Sequence, residues 1–160
     1  MTIRSVLWNK ALKDFSCNKT AITELDVSKN PELERLVCGS DRISERSVLK
    51  SINLFNNPKL KVLECEHASI TKLDLSKLPA LEKISIDMLL ITELDVSHNP
   101  ALKEINCRTN DISELDVSHN PELRKIYCKG TNIKKLDVTN TKVDYIECER
   151  DCEVIGFKYN

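Results

Sequence analysis

The sequence predicts a right-handed, mostly-β solenoid that spans residues 1–160 as one domain, with short parallel strands on both faces of each coil and little or no helix. Three observations predict it. Residues 91–107, ITELDVSHNPALKEINC, are followed 21 residues later by residues 112–128, ISELDVSHNPELRKIYC. A fixed period of about 20–50 residues marks a stack of units that bury their apolar faces only against one another. The anchors Leu94, Asp95, Val96 and Ser97 recur as Leu115, Asp116, Val117 and Ser118, then as Leu136, Asp137, Val138 and Thr139; earlier copies are Leu73-Asp74-Leu75-Ser76 and Leu25-Asp26-Val27-Ser28. Within each repeat the last two apolar residues stand two apart, which is strand alternation, and no segment carries the ten or more residues at a 3.6 period that an ordinary helix needs.

The elements follow in order. Residues 1–11 form an N-terminal cap: Val6 and Asn9 fall where later coils hold Val27 and Asn30, but Arg4 replaces the expected leucine and Trp8 brings a large aromatic. Residues 12–148 make about seven coils. Each contains one strand element, read as Leu12-Phe15-Cys17, Leu33-Leu36-Cys38, Leu60-Leu63-Cys65, Leu81-Ile84-Ile86, Leu102-Ile105-Cys107, Leu123-Ile126-Cys128 and Val143-Ile146-Cys148. A second element follows each, such as Ile22-Leu25-Val27 or Ile112-Leu115-Val117. Cys38 and Cys65 are 27 residues apart instead of 21, which places a polar loop, GSDRISERS, at 39–47. The last coil is one residue short, since Asn120 and Asn140 are 20 apart. Residues 149–160 form a C-terminal cap, a final strand with Ile155, Phe157 and Tyr159 on one side.

The run Leu102-x-x-Ile105-x-Cys107-x-x-Asn110-x-Ile112 matches the anchors of the leucine-rich repeat. The unit resembles a bacterial 21-residue subclass of that family, in which L-x-x-L-x-C-x-x-N-x-L is followed by x-x-L-D-L-x-x-N. The resemblance covers about residues 9–150 and implies a leucine-rich repeat solenoid. It departs from the pattern where Thr20, Asp41, Ala68, Leu89 and Thr131 replace the asparagine after the cysteine, and where Leu78 replaces the second asparagine.

Composition removes several classes of function. Lys+Arg (24) nearly match Asp+Glu (25) for a net charge of −1, so no basic field exists to hold phosphates and nucleic-acid binding is disfavoured. No apolar run of about 18 residues supports membrane insertion. As the chain stands it reads as soluble and cytoplasmic, or as secreted or surface-bound if a signal peptide has been removed. Catalytic signatures are absent: there is no G-x-S-x-G, H-E-x-x-H, glycine-rich phosphate loop or C-x-x-C, and the chain reads as a non-enzyme without a cofactor.

Stacking turns the sequence into columns. Cys17, Cys38, Cys65, Cys107, Cys128 and Cys148 read as a ladder of small buried hydrophobes, because Ile86 takes the same slot and cannot ligate a metal. Asn30, Asn57, Asn99, Asn120 and Asn140 read as a second ladder that turns inward to bond turn backbone, with Pro31, Pro58, Pro100 and Pro121 fixing the turn. The aspartate column, Asp26, Asp74, Asp95, Asp116 and Asp137, gains hydrogen bonds from the serines and threonine two residues on, or would hold calcium as an ion ladder. His98 and His119 stack at equivalent positions and read as a solvated face; Cys152 stands outside the thiol column.

Variation singles out one face. Outward positions of the aspartate strands are monotonous, whereas those of the cysteine strands mix charge with tyrosine and arginine, which suits recognition. The candidate partner-binding residues are Arg35, Glu64, Glu66, Lys83, Asp87, Asn106, Arg108, Tyr127, Lys129 and Glu147, and Met88 with Leu90 forms a candidate apolar patch. The expected function is a scaffold that binds another protein through this face; the alternatives are a carbohydrate-binding or adhesion module and a metal-binding solenoid.

Overall fold

The computed structural model describes residues 8–40 and 47–158. The cysteine elements fold as β1 (Asp14–Ser16), β3 (Arg35–Gly39), β5 (Val62–Glu66), β6 (Lys83–Ser85), β7 (Glu104–Asn106), β8 (Lys125–Tyr127) and β10 (Tyr145–Glu147). These seven strands form one parallel sheet in coil order. Its register sets Asp14, Arg35, Val62, Lys83, Glu104, Lys125 and Tyr145 in a single row, so residues at equivalent repeat positions are neighbours in space.

The opposite side differs from the expectation of strands in every coil. There β2 (Glu24–Asp26) pairs with β4 (Ser51–Asn53), and β9 (Lys135–Asp137) pairs with β11 (Glu153–Ile155). The equivalent residues 73–75, 94–96 and 115–117 carry no strand. Single bonds, Leu90 N to Ile70 O at 3.0 Å and Asp111 N to Ile91 O at 3.1 Å, tie these coils just before the aspartate element. Beyond them the coils part, leaving shallow clefts of about 300 Å³ between Asp74 and Asp95 and about 460 Å³ between Asp116 and Asp137. A strand ladder needs neighbours at about 4.8 Å, and here that spacing is kept along the whole stack only on the cysteine side.

The core is a set of apolar rows. Leu33, Leu60, Leu81, Leu102 and Leu123 are fully buried, as are Leu36, Leu63, Ile84, Ile105 and Ile126 one step along the chain. Each such side chain contributes about 1.5–3 kcal/mol relative to exposure. The buried amides of Asn57, Asn99 and Asn120 close the turns between coils. Asn99 Nδ2 donates to Leu75 O (3.0 Å) and Leu78 O (2.9 Å), and Asn120 Nδ2 to Val96 O (3.0 Å) and Asn99 O (2.9 Å).

Asn140 is a correction to that ladder, because it is exposed. Asn120 N donates to Val117 O, three residues back, and the group that repeats this bond is Thr141 N to Val138 O at 3.0 Å. Thr141 Oγ1 also donates to Val138 O at 2.7 Å. The register from Val117 to Val138 is therefore a full repeat, and the missing residue falls after Thr141, where Thr-Lys-Val replaces Asn-Pro-Glu-Leu.

The C-terminal strand also departs from simple alternation. Val154 and Phe157 pack on the core beside Cys148 and Cys152. Gly156, at φ +79°, ends the strand after Ile155, so Ile155 and Phe157 do not continue one face. Residues 1–7 of the expected N-terminal cap, 41–46 of the inserted loop, and Tyr159 and Asn160 of the C-terminal cap lie outside the described residues.

Candidate interaction face

Alternation along the cysteine strands sends the thiols inward and their neighbours outward, and the parallel register places the outward groups one coil apart. Across β3, β5, β6 and β7 this produces a chain of opposite charges. Arg35 Nη2 meets Glu64 Oε2 at 2.7 Å, Lys83 Nζ lies 3.4 Å from Glu64 Oε1, and Lys83 Nζ lies 3.3 Å from Glu104 Oε1. Partial burial works against the Lys83 charge, but Glu104 and Glu64 outweigh it and hold its ammonium above the usual lysine value.

Beside this chain, the Ser85 hydroxyl donates to Glu66 Oε1 and accepts from Asn106 Nδ2 at 2.9 Å. Glu66 and Asn106 thus act on each other through Ser85, a residue that sequence reasoning passed over. Its smallness in an outward row of varied residues was the signal.

The C-terminal third of the face carries the most distinctive cluster. Arg108 Nη2 pairs with Glu147 Oε2, and its Nε lies 3.4 Å from Glu147 Oε1, a two-pronged contact that skips one coil. Tyr127 comes from the coil between theirs, and its ring centroid is 4.4 Å from the guanidinium carbon. Tyr145 leans on Tyr127 with centroids 5.2 Å apart at 45°, and is 46% exposed. The Glu147 hydrogen bond raises the Arg108 guanidinium and, reciprocally, lowers the Glu147 carboxyl. Lys125 and Lys129, both exposed, flank Tyr127 along the chain. Lys129 adds to the field that keeps Glu147 ionised.

The structure therefore brings together Arg108, Tyr127, Lys129 and Glu147 at one end, and Arg35, Glu64 and Lys83 in the middle. Asp87 sits at the junction, near enough to raise Arg108 electrostatically. Tyr145 belongs to the aromatic cluster although sequence reasoning left it out; its outward column was visible, its contact with Tyr127 was not.

The apolar patch lies on an edge. Leu90 is 47% exposed, Met88 is half-buried with a left-handed φ of 55°, and Leu89 turns into the core. Val48, 48% exposed, shares the Leu90 column two coils away, with Ser69 between them. The bonds Ser69 N to Leu49 O and Leu90 N to Ile70 O tie these coils.

On the opposite side each aspartate is occupied locally. Oδ1 of Asp74, Asp95, Asp116 and Asp137 accepts the backbone N–H two residues on at 2.8–2.9 Å. His98 Nδ1 and His119 Nδ1 contact the hydroxyls of Ser97 and Ser118 at 3.0 and 3.1 Å. Among the described residues no three His, Cys, Asp or Glu side chains are arranged to hold a metal ion.

Inside the face runs the thiol column. Cys17, Cys38, Cys65, Cys107 and Cys128 are buried, Cys148 and Cys152 are half-buried, and Cys38 lies directly opposite Cys65. Burial pushes Cys17 up to about 11 and Cys107 up to about 12. These are inert, packed thiols.

A seven-stranded parallel sheet of repeat strands, asparagine-closed turns and an almost helix-free return side define a leucine-rich repeat solenoid. The chain matches the functional domain of InlJ from Listeria monocytogenes, which includes a cysteine ladder, at a TM-score of 0.82 and 30% identity. The match covers 94% of this chain and 32% of that one, so the chain spans about a third of the length of that relative. Two further Listeria monocytogenes internalins share the fold at 16% identity. InlF has a TM-score of 0.53 over 84% of this chain and 50% of its own, and InlC2 has 0.52 over 85% and 80%. No family profile and no curated protein matches the sequence. The chain is a leucine-rich repeat protein whose structural relatives are bacterial internalins. No helix among its described residues is long and apolar enough to cross a membrane.

Proposed function

We propose that the chain is a non-enzymatic scaffold that binds another protein through the outward side of the seven-stranded sheet, with Arg108, Tyr127, Tyr145 and Glu147 as the centre of the contact. The functional unit is the stack of residues 12–148. Arg35, Glu64, Glu66, Lys83, Asp87, Asn106 and Lys129 supply the polar surround.

One observation carries this reading: a tyrosine pair and an arginine are held on a rigid strand surface by neighbours one coil away. Aromatic and arginine side chains dominate the energy of protein interfaces. Holding them in place beforehand lowers the ordering entropy that binding costs.

The test is affinity capture from the source cell with three baits: wild type, Arg108→Glu plus Tyr127→Ala, and a control Glu114→Lys on the opposite side. The reading expects a protein retained by wild type and control and lost with the double variant. Equal recovery with all three baits moves the contact off this face.

A further inference from the structure

The C-terminal end of the thiol column holds a pair of cysteines unlike the rest. Cys148 directly follows β10, the last strand of the large sheet, and Cys152 directly precedes β11, which belongs to the sheet on the other side. The intervening turn is closed by Cys152 N donating to Glu149 O at 3.2 Å. Both side chains pack on the end of the core four residues apart across this turn, and the neighbouring Cys148 thiol is one of the groups that raise Cys152. The other five thiols are buried. Cys148, the last of the column, instead has Cys152 beside it, and these two are the only half-buried cysteines.

We propose that Cys148 and Cys152 are an oxidation site that closes into an intrachain disulfide and clamps the C-terminal end of the solenoid. Access separates this pair from the column, because a reagent must reach the sulfur and the five inner thiols are buried. With a small-molecule disulfide as oxidant, one thiolate of the pair attacks a reagent sulfur and expels one reagent thiolate. The other protein thiolate then attacks the mixed disulfide and expels the second. Two protein thiols and one reagent disulfide thus become one protein disulfide and two reagent thiols, their protons taken up by the leaving thiolates or solvent. Burial and the adjoining Cys148 thiol push Cys152 up to about 11, so mildly alkaline solution speeds the exchange. The product joins β10 to β11 covalently across a five-membered stretch of chain, 148–152.

The experiment is oxidation of the folded protein with excess oxidised glutathione, followed by alkylation, intact mass and a tryptic map. Trypsin cuts after Arg150, so peptides 143–150 and 151–158 stay together only through the bridge. The proposal expects a loss of two hydrogens, a linked 143–150/151–158 pair, and a melting temperature raised by roughly 4 °C or more. Cys107→Ala should behave like wild type, and Cys152→Ser should form no intrachain bridge. An unlinked map of the oxidised wild type, or a bridge joining column cysteines instead, overturns the proposal. That map is decisive by itself should Cys152→Ser fail to fold.

Discussion

The guanidinium of Arg108 lies 4.4 Å from the ring centroid of Tyr127 while its Nη2 pairs with Glu147, which belongs to the coil beyond Tyr127. Three consecutive coils meet in this contact: Tyr127 and Glu147 stand at equivalent positions of β8 and β10, and Arg108 comes from the turn just after β7. The arrangement needs the coils to be in register, because a slip of one residue would turn Tyr127 inward and Cys128 outward. A double-mutant cycle with Arg108→Ala and Tyr127→Ala should give a coupling of about 0.5–1 kcal/mol in urea unfolding. A coupling indistinguishable from zero would mean the pair is not held together in solution.

Asn120 and Asn140 look equivalent in sequence and should behave differently. Asn120→Ala removes two buried hydrogen bonds from its amide to Val96 O and Asn99 O and should cost about 1–3 kcal/mol, although each carbonyl keeps a backbone donor, Asn99 N and Leu102 N. Asn140→Ala should change stability by less than about 0.5 kcal/mol, as its side chain is exposed. A large loss at Asn140 would contradict the placement of Thr141 in the ladder.

Gly39 faces a hard constraint at the edge of β3. It sits at φ +101°, and a Cβ there would lie 2.1 Å from the backbone oxygen of Glu66. Because the obstacle is backbone in the neighbouring strand, it cannot rotate aside. Gly39→Ala should therefore destabilise by well over about 1 kcal/mol, and a neutral thermal melt would refute this account.

Thiol chemistry should divide the cysteines into two groups. In native protein, Cys148 and Cys152 should react with Ellman's reagent first, and the five buried thiols should react only as the chain unfolds. Cys107→Ser should cost about 1–3 kcal/mol, because it buries a hydroxyl among apolar groups. Rapid native labelling of Cys107 would place it nearer solvent than the structure does.

Acid should weaken the fold through the aspartate side. For Asp74, Asp95 and Asp137 the hydroxyl two residues on is the largest influence, for Asp116 it is the backbone amide of Ser118, and all four are held below the usual carboxylate value. Folding favours their ionised form. This contribution is present above the unfolded value, about pH 3.9, and disappears as pH falls through the lower folded values. The melting temperature of Asp95→Asn plus Asp116→Asn should fall less steeply than that of wild type below about pH 4. Parallel curves for the two proteins would show that these carboxylates do not carry the acid sensitivity.

By itself, the sequence determined the period, the inward and outward positions and the continuous sheet. A recurring pair of apolar residues two apart can bury only one side of a strand, and equal spacing forces neighbouring coils into register. Cys107 and Cys128 could thus be read as column neighbours, and Arg108, Tyr127 and Glu147 as outward groups, from spacing alone. Tertiary structure decided what spacing does not encode: that Arg108 reaches past one coil to Glu147, that Tyr145 joins Tyr127, that Thr141 displaces Asn140, and that the aspartate coils part instead of pairing. Side-chain reach and the separation of coils on the two sides of the stack depend on the whole assembled column, so no single repeat carries them.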